Sequence, residues 1–343
     1  MTGVAETGAP PAPPARKALG PDGVVPLAVL ERSGLIESRH SGAAVLTRPD
    51  GTLALELGDG DADVWGRSSL KPFQALAALR AGAPLDGEEL VLATASHAGT
   101  PAHIAVVERV LDAAGAVADD LRCPHDWPLD RRAMLDAHAA GHGTRRIAMN
   151  CSGKHAAFLL ACRVNGFSTG DYLDRQHPMQ LLVAETIADY TGQIPDRVGV
   201  DGCGAPVFAT GLTALARGIG RIAGARERGD DPLAATLAGA ILDHPWAIDG
   251  PGRSNTVVID RLGVIAKLGA EGVLVVGMPD GTGFAMKMLD GNLRATTTVA
   301  LDILAAHGLV DPDESAAVAA ETAERVLGGG QPVGGIRSIA LAG

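Results

Sequence analysis

Strand-like and helix-like patterns are segregated along this chain, and that segregation restricts the folds open to it. Residues 24–57 hold two apolar stretches, VVPLAVLERSG and AAVLTRPDGTLALEL, that alternate and break at a Pro-Asp-Gly turn. This is the pattern of antiparallel strands. From 68 to about 242, Ala/Leu-rich segments at 73–80, 104–114, 156–164, 179–190 and 207–216 are punctuated by Gly and Pro and read as helices. Strand patterns return at TVVID, GVIAKLG, GVLVVGMPD and GFAMKMLDG, the last two joined by the turn Pro279-Asp280-Gly281-Thr282-Gly283. Helices at about 293–306 and 314–327 close the chain. The expected fold is α/β of the α+β kind. One antiparallel sheet is completed by the N- and C-terminal strands and flanked by helices, and the middle forms an all-helical lobe. The expected division is a disordered leader over 1–20 and a single domain over 21–343. Its sheet lobe comes from about 21–67 and 250–343, its helical lobe from about 68–249. A cleft between such lobes is the usual place for a site.

Composition excludes several classes of function. At 343 residues, with 46% hydrophobic and 20% charged, the chain can bury a substantial core. Aromatics make up only 3%, so a stacking platform for bases or sugars is not expected. A net charge of −11 opposes nucleic-acid binding, which needs a basic face against the phosphates. No apolar run reaches membrane-spanning length, and the N-terminus lacks the basic-then-apolar pattern of a signal, so a cytoplasmic protein is expected. The opening tract MTGVAETGAPPAPP can bury little and is expected to stay disordered. Cys123, Cys151, Cys162 and Cys203 are then thiols or metal ligands rather than a disulfide framework.

Arg67-Ser68-Ser69-Leu70-Lys71-Pro72 is the segment with the most chemistry in it. Ser68 and Lys71 are three apart and share a helix face. Proline is tolerated only in the first helical turn, so a helix through Phe73 cannot begin much before Ser69, and Ser68 lies at or beside its N-cap. A serine there meets free backbone N–H groups and the positive end of the helix dipole. A serine hydroxyl needs a neighbouring base, and a desolvated lysine with lowered pKa can serve as one. Alone, the motif fits equally a capped helix with a surface lysine.

Partners exist for it. Ser96-His97 ends the buried-looking run from Val91 into a glycine-containing turn, and Lys267-Leu268-Gly269 lies on an apolar strand. Glycine at that strand edge lets a ligand approach closely. A Ser-x-x-Lys helix, a second serine loop and a Lys-x-Gly strand, in this order, are the parts of a serine acyl-transfer site. Two polar, glycine-flanked segments, Asn150-Cys151-Ser152-Gly153-Lys154-His155 and Asp201-Gly202-Cys203-Gly204-Ala205-Pro206, each open a helix. Helix N-termini lower thiol pKa values, and Cys151 with Cys203 could hold a cation such as Zn²⁺ or be unrelated free thiols.

Taken in order, RSSLKPFQA, ASHAGT, NCSGKHAAF and DGCGAPVFA resemble the Rhizobium-type, or class 3, L-asparaginases of the asparaginase II family. The resemblance runs from about residue 24 to the C-terminus and leaves out the leader. It implies a fold similar to serine β-lactamases and serine-dependent glutaminases, and hydrolysis of L-asparagine to L-aspartate and ammonia. It maps a catalytic centre onto Ser68 with Lys71 and Ser96 with Lys267, Lys287 on a nearby strand being the alternative to Lys267. It maps a zinc site onto Cys151, Lys154 and Cys203, with Asp201 supporting Lys154. Arg67, His97 and Asn150 flank these motifs as substrate-contacting or supporting residues, and a homodimer is implied. A glutaminase, a β-lactam-type serine hydrolase and a non-catalytic zinc-binding protein are the competing readings.

Overall fold

The computed structural model describes residues 16–342. In chain order, β1 (Val25–Arg32), β2 (Leu35–Thr47), β3 (Leu53–Leu57) and the two-residue β4 (Val64–Trp65) come first. A 3-10 turn, Arg67–Leu70, leads into α1 (Lys71–Arg80), and α2 (Gly87–Thr94), α3 (Pro101–Ala114), α4 (Arg131–Ala139), α5 (Ser152–Asn165) and α6 (Pro178–Thr191) follow. Next are β5 (Val198–Val200), β6 (Pro206–Thr210), α7 (Leu212–Ala223), the short α8 (Ala225–Arg228), α9 (Pro232–Asp243) and α10 (Ser254–Leu262). The chain ends with β7 (Ile265–Gly269), β8 (Val273–Gly277), β9 (Gly283–Met288), α11 (Thr296–Ala306), α12 (Pro312–Thr322), β10 (Val326–Gly328) and β11 (Gln331–Ser338).

The main sheet has the order β10-β11-β1-β2-β9-β8-β7, with β3 also paired to β2, and every pairing is antiparallel. Strands from the two chain ends are interleaved: β1 lies between β11 and β2, and β2 carries β9. This is the mixed α/β fold expected from the segregated pattern. Side chains alternate across a sheet. Ala266, Leu274 and Val276 face Val258, Ala300 and Leu301 of α10 and α11. Lys267, in register with Val275, therefore points to the opposite face, toward α7 and the helical lobe. Glycines let α7 press onto the β8–β9 hairpin. A Cβ on Gly283 would lie 1.8 Å from the Ala216 carbonyl oxygen, and one on Gly220 2.3 Å from that of Gly281.

Several elements differ from the sequence reading. TVVID is part of α10, not a strand. Its Val257, Val258 and Ile259 are buried, and Gly263 at φ +64° stops the helix, so packing overrides β-propensity. The segment after Cys203 opens no helix: Pro206–Thr210 is a fully buried strand, and Gly211 separates it from α7. With β4 and β5 it forms a small antiparallel sheet, so the middle of the chain is not all-helical. The last helix stops at Thr322, where Ala323 turns extended, and β10 and β11 follow. β11 was hidden by Gly334 and Gly335 in a largely exposed run; a Cβ on Gly334 would strike the Glu31 carbonyl oxygen at 1.8 Å.

The leader's residues 1–15 lie outside the described residues. From 16 the chain is held: Arg16 Nε donates to Asp63 Oδ1 at 2.8 Å, and the Leu19 N–H to the Asp63 carbonyl at 3.1 Å. Among the described residues no helix is long and apolar enough to cross a membrane. The approach of α7 to the sheet gives a stability prediction. Gly283→Ala should lower unfolding free energy by about 3 kcal/mol through overpacking against backbone that cannot yield. Urea titration should show a lower midpoint at unchanged m, and an unchanged midpoint would contradict the packing described.

Candidate active site

Ser68 does not sit in α1 but in the 3-10 turn that feeds it, and Lys71 is the first α-helical residue, followed by Pro72. The Lys71 N–H donates to the Ser68 carbonyl. Ser69 closes the turn from inside: its hydroxyl donates to the Gly66 carbonyl at 2.6 Å and its N–H to the same oxygen at 3.1 Å. The Ser68 side chain is half-buried and makes no hydrogen bond to another described residue. Arg67, just before it, has φ +50°. A non-glycine residue held there carries strain of about 1–3 kcal/mol, which the surroundings must offset. Asp201 supplies an anchor, accepting from Arg67 Nε at 2.7 Å. The direct hydrogen bond of Asp201 thus goes to Arg67, while its charge still favours the ammonium of Lys154. Asp201 also shapes the Cys203 loop, accepting from the N–H groups of Gly202 and Gly204.

Gly269 explains how β7 meets this turn. A Cβ there would come within 2.9 Å of the Gly66 carbonyl oxygen and 3.1 Å of the Ser69 nitrogen. The close approach at Gly269 is made by the Arg67–Leu70 turn.

The two lysines converge on Ser96. Lys71 Nζ donates to the Ala95 carbonyl and lies 3.1 Å from Ser96 Oγ; Lys267 Nζ lies 2.9 Å from the same oxygen and 2.8 Å from the Leu268 carbonyl. Both lysines are buried. Burial, and then the neighbouring charge of Lys71, bring Lys267 down to about 7. Lys287 is elsewhere, donating to the Glu271 and Met288 carbonyls at the far end of β9. His97 is fully buried: its Nδ1 accepts from the Gly99 N–H at 3.1 Å and its Nε2 meets Ser152 Oγ at 2.9 Å. Burial first, then His103 and Lys71, push it well below the usual imidazole range. A neutral His97 thus braces the Ser96 segment against the start of α5. The Asn150 carbonyl assists by accepting from the His97 N–H at 3.2 Å.

The cysteine segments meet beside this centre. Lys154 Nζ donates to Cys203 Sγ at 3.1 Å, and the Cys151 thiol lies 3.1 Å from Asn150 Oδ1. The neighbouring Cys151 thiol and the positive charge of Lys154, which donates to Cys203, favour the Cys203 thiolate, while the nearness of that sulfur and burial hold Cys151 as a thiol. Burial opposes charge on Lys154, but the two sulfurs outweigh it and keep the ammonium. His155, with Nδ1 2.7 Å from the Tyr172 hydroxyl, leaves its Nε2 buried without a partner. Among the described residues no group of three or more His, Cys, Asp or Glu is placed to hold a metal. The donor set is two sulfurs and an amine nitrogen. It fits zinc chemically once Cys151 and Lys154 have given up their protons.

Sequence reasoning missed the 249–255 loop. Asp249 and Asn255 are buried at 4% and 3% exposure and join the Ser96 segment to β7. Only a lone Asp-Gly-Pro-Gly turn signal marked the place. A cavity of about 480 Å³ borders this loop through Asp249 and Arg253 but contains neither Ser68 nor Lys71, because it opens on the Leu268 face of β7.

Solved structures with related shape include a Bacillus glutaminase, at 14% identity over 79% of this chain and 92% of that one with a TM-score of 0.45. The Bacillus subtilis glutaminase bound covalently to 5-oxo-L-norleucine matches at 14% identity over 78% and 87%, TM-score 0.41. EstCE1, a hydrolase with promiscuous acyltransferase activity, matches at 10% identity over 88% and 95%, TM-score 0.38. No match was found among curated proteins. The model of the L-asparaginase II family matches residues 28–338, which spans the turn, both lysines and both cysteine segments. The chain belongs to the L-asparaginase II family and is an amidohydrolase.

Proposed function

We propose that this chain hydrolyses the side-chain amide of L-asparagine to L-aspartate and ammonia through an acyl-enzyme on Ser68. The observation that carries the reading is the unbroken Lys71–Ser96–Lys267 contact between two buried lysines, with Ser68 three residues before Lys71 on the turn that follows the strained Arg67. Lys71 takes the Ser68 proton as Ser68 Oγ bonds to the amide carbon. N–H groups at the start of the turn, which lack helical partners, stabilise the oxyanion. The carbon–nitrogen bond breaks as the leaving nitrogen is protonated, and ammonia departs. Ser96 links Lys71 to Lys267, so protons can move along the chain of contacts. Water then cleaves the acyl-enzyme, with the same lysine as base. Cys151, Lys154 and Cys203 would hold zinc, which when bound supplies positive charge for orienting the polar end of the substrate. A homodimer belongs to the same reading.

Ser68→Ala and Lys71→Met should each lower ammonia release from asparagine by at least ~10³-fold while the fold persists. Near wild-type rates in either folded variant would overturn the mechanism. Rates on glutamine measured alongside decide the substrate.

With Lys267 at about 7, the pH profile has a definite sign. Its neutral form, able to accept a proton from Ser96, grows as pH rises through that value. The ratio kcat/KM should therefore climb between roughly pH 6 and 8 and then level off, and Lys267→Met should remove this limb. A flat profile in the wild type would exclude Lys267 from the relay.

Zinc is tested by elemental analysis of purified protein. Cys151→Ala/Cys203→Ala should hold much less than wild type, and equal content would remove the metal from the proposal.

A further inference from the structure

We infer that the buried Asp249–Asn255 pair is a positioning device that fixes Ser96 and Lys267 against each other, an assignment that rests on the serine–lysine reading above. Ser96 and Lys267 are 171 residues apart, and no strand pairing joins them. The link runs through the loop before α10. The Ser96 N–H donates to the Ile248 carbonyl at 2.9 Å and the Ala98 N–H to the Asp249 carbonyl at 2.8 Å. The Asp249 carboxylate accepts from Asn255 Nδ2 at 3.1 Å, and Asn255 Oδ1 accepts the Leu268 N–H at 2.8 Å. Arg253 holds the other Asp249 oxygen.

β7 is the edge strand of the sheet, so its outward N–H at Leu268, the residue after Lys267, has no strand partner. Asn255 supplies one. An amide is the uncharged side chain that accepts at one end and donates at the other, as this position requires. A carboxylate would repel Asp249, and an aliphatic chain would leave both groups buried and unsatisfied. The pair also acts by charge. The groups facing Lys267 are Lys71, Asp249, Cys151 and Arg253, and Asp249 is the carboxylate among them. Asn255 and Asp249 touch no reacting atom and work through Lys267 and Ser96.

The full chain tests this with two variants. Asn255→Leu keeps the branched outline, with some added bulk, and removes both hydrogen bonds. It should lower kcat on asparagine by about 30-fold or more, with KM within about threefold, because a small misplacement is felt mainly at the chemical step. Amide exchange in the peptide spanning Leu268 should rise, while that of β9 does not. Asp249→Asn keeps the shape and one hydrogen bond but removes the charge. Its acid limb should move to lower pH by about half a unit, since Lys267 loses an anion that favours its charged form. Full kcat in folded Asn255→Leu, or unchanged exchange at Leu268, overturns the assignment. If Asn255→Leu does not fold, the Asp249→Asn profile decides: an unshifted limb overturns it. Ser68→Ala is measured beside them. If it stays active, the serine reading falls, while the exchange result still decides whether Asn255 holds β7.

Discussion

Two lysine side chains are buried against one serine hydroxyl, and burying two like charges together is strongly unfavourable. Each ammonium has one backbone carbonyl to bond, Ala95 for Lys71 and Leu268 for Lys267, and each then reaches the same Ser96 oxygen. If both stayed charged, that oxygen would accept twice and its own proton would have no acceptor. Bringing Lys267 toward neutral pH removes the conflict. Ser96 can then accept from one lysine and donate to the other, which is what a proton relay needs. Asp249 limits how far the shift goes, so Lys267 is poised near neutral pH.

Such an arrangement depends on backbone placement more than on side-chain identity. Ser68, Ser96 and Lys267 come from a turn, an extended segment and an edge strand. The turn is strained at Arg67 and held from outside by Asp201, from inside by Ser69. The absence of a side chain at Gly269 lets β7 touch it. His97 ties the Ser96 segment to α5, and the loop at 249–255 ties it to β7. The strain at Arg67 is tolerable because several independent contacts over-determine the turn.

Much of this was legible in the sequence, for identifiable reasons. One antiparallel sheet built from both ends of the chain followed from the strand patterns at 24–57 and 264–288, though not the place of β11 in it, and Pro72 placed the start of α1 to within two residues. Ser68, Lys71, Ser96 and Lys267 were recognisable because acyl transfer needs a serine with a base, and the structure does bring the last three into contact. What escaped was of two kinds. Segments such as TVVID and PVFAT have short apolar runs whose state is chosen by tertiary packing. Supporting residues such as Asn255 carry no motif, since their role is to satisfy one backbone N–H whose exposure only the fold creates. Asp201 shows the same limit: its segment was marked, but its partner Arg67 lies 134 residues away.

The cysteine cluster is the remaining charge problem beside the site, and its stoichiometry bears on the proposed zinc. In the hydrogen-bonded form Cys151 is a thiol, Cys203 a thiolate and Lys154 an ammonium, so the cluster is neutral. With zinc it would contain two thiolates, a neutral amine and a divalent cation, which is neutral as well. Exchanging one state for the other releases two protons but leaves the buried charge unchanged. Both states have zero net charge, so exchanging them adds no new unit charge beside Lys267. The same residues can thus be stable with or without the metal, while affinity should rise with pH as those protons become easier to remove. A cluster with a third thiol in place of Lys154 would lack this balance, being anionic when loaded and short of a counter-charge when empty.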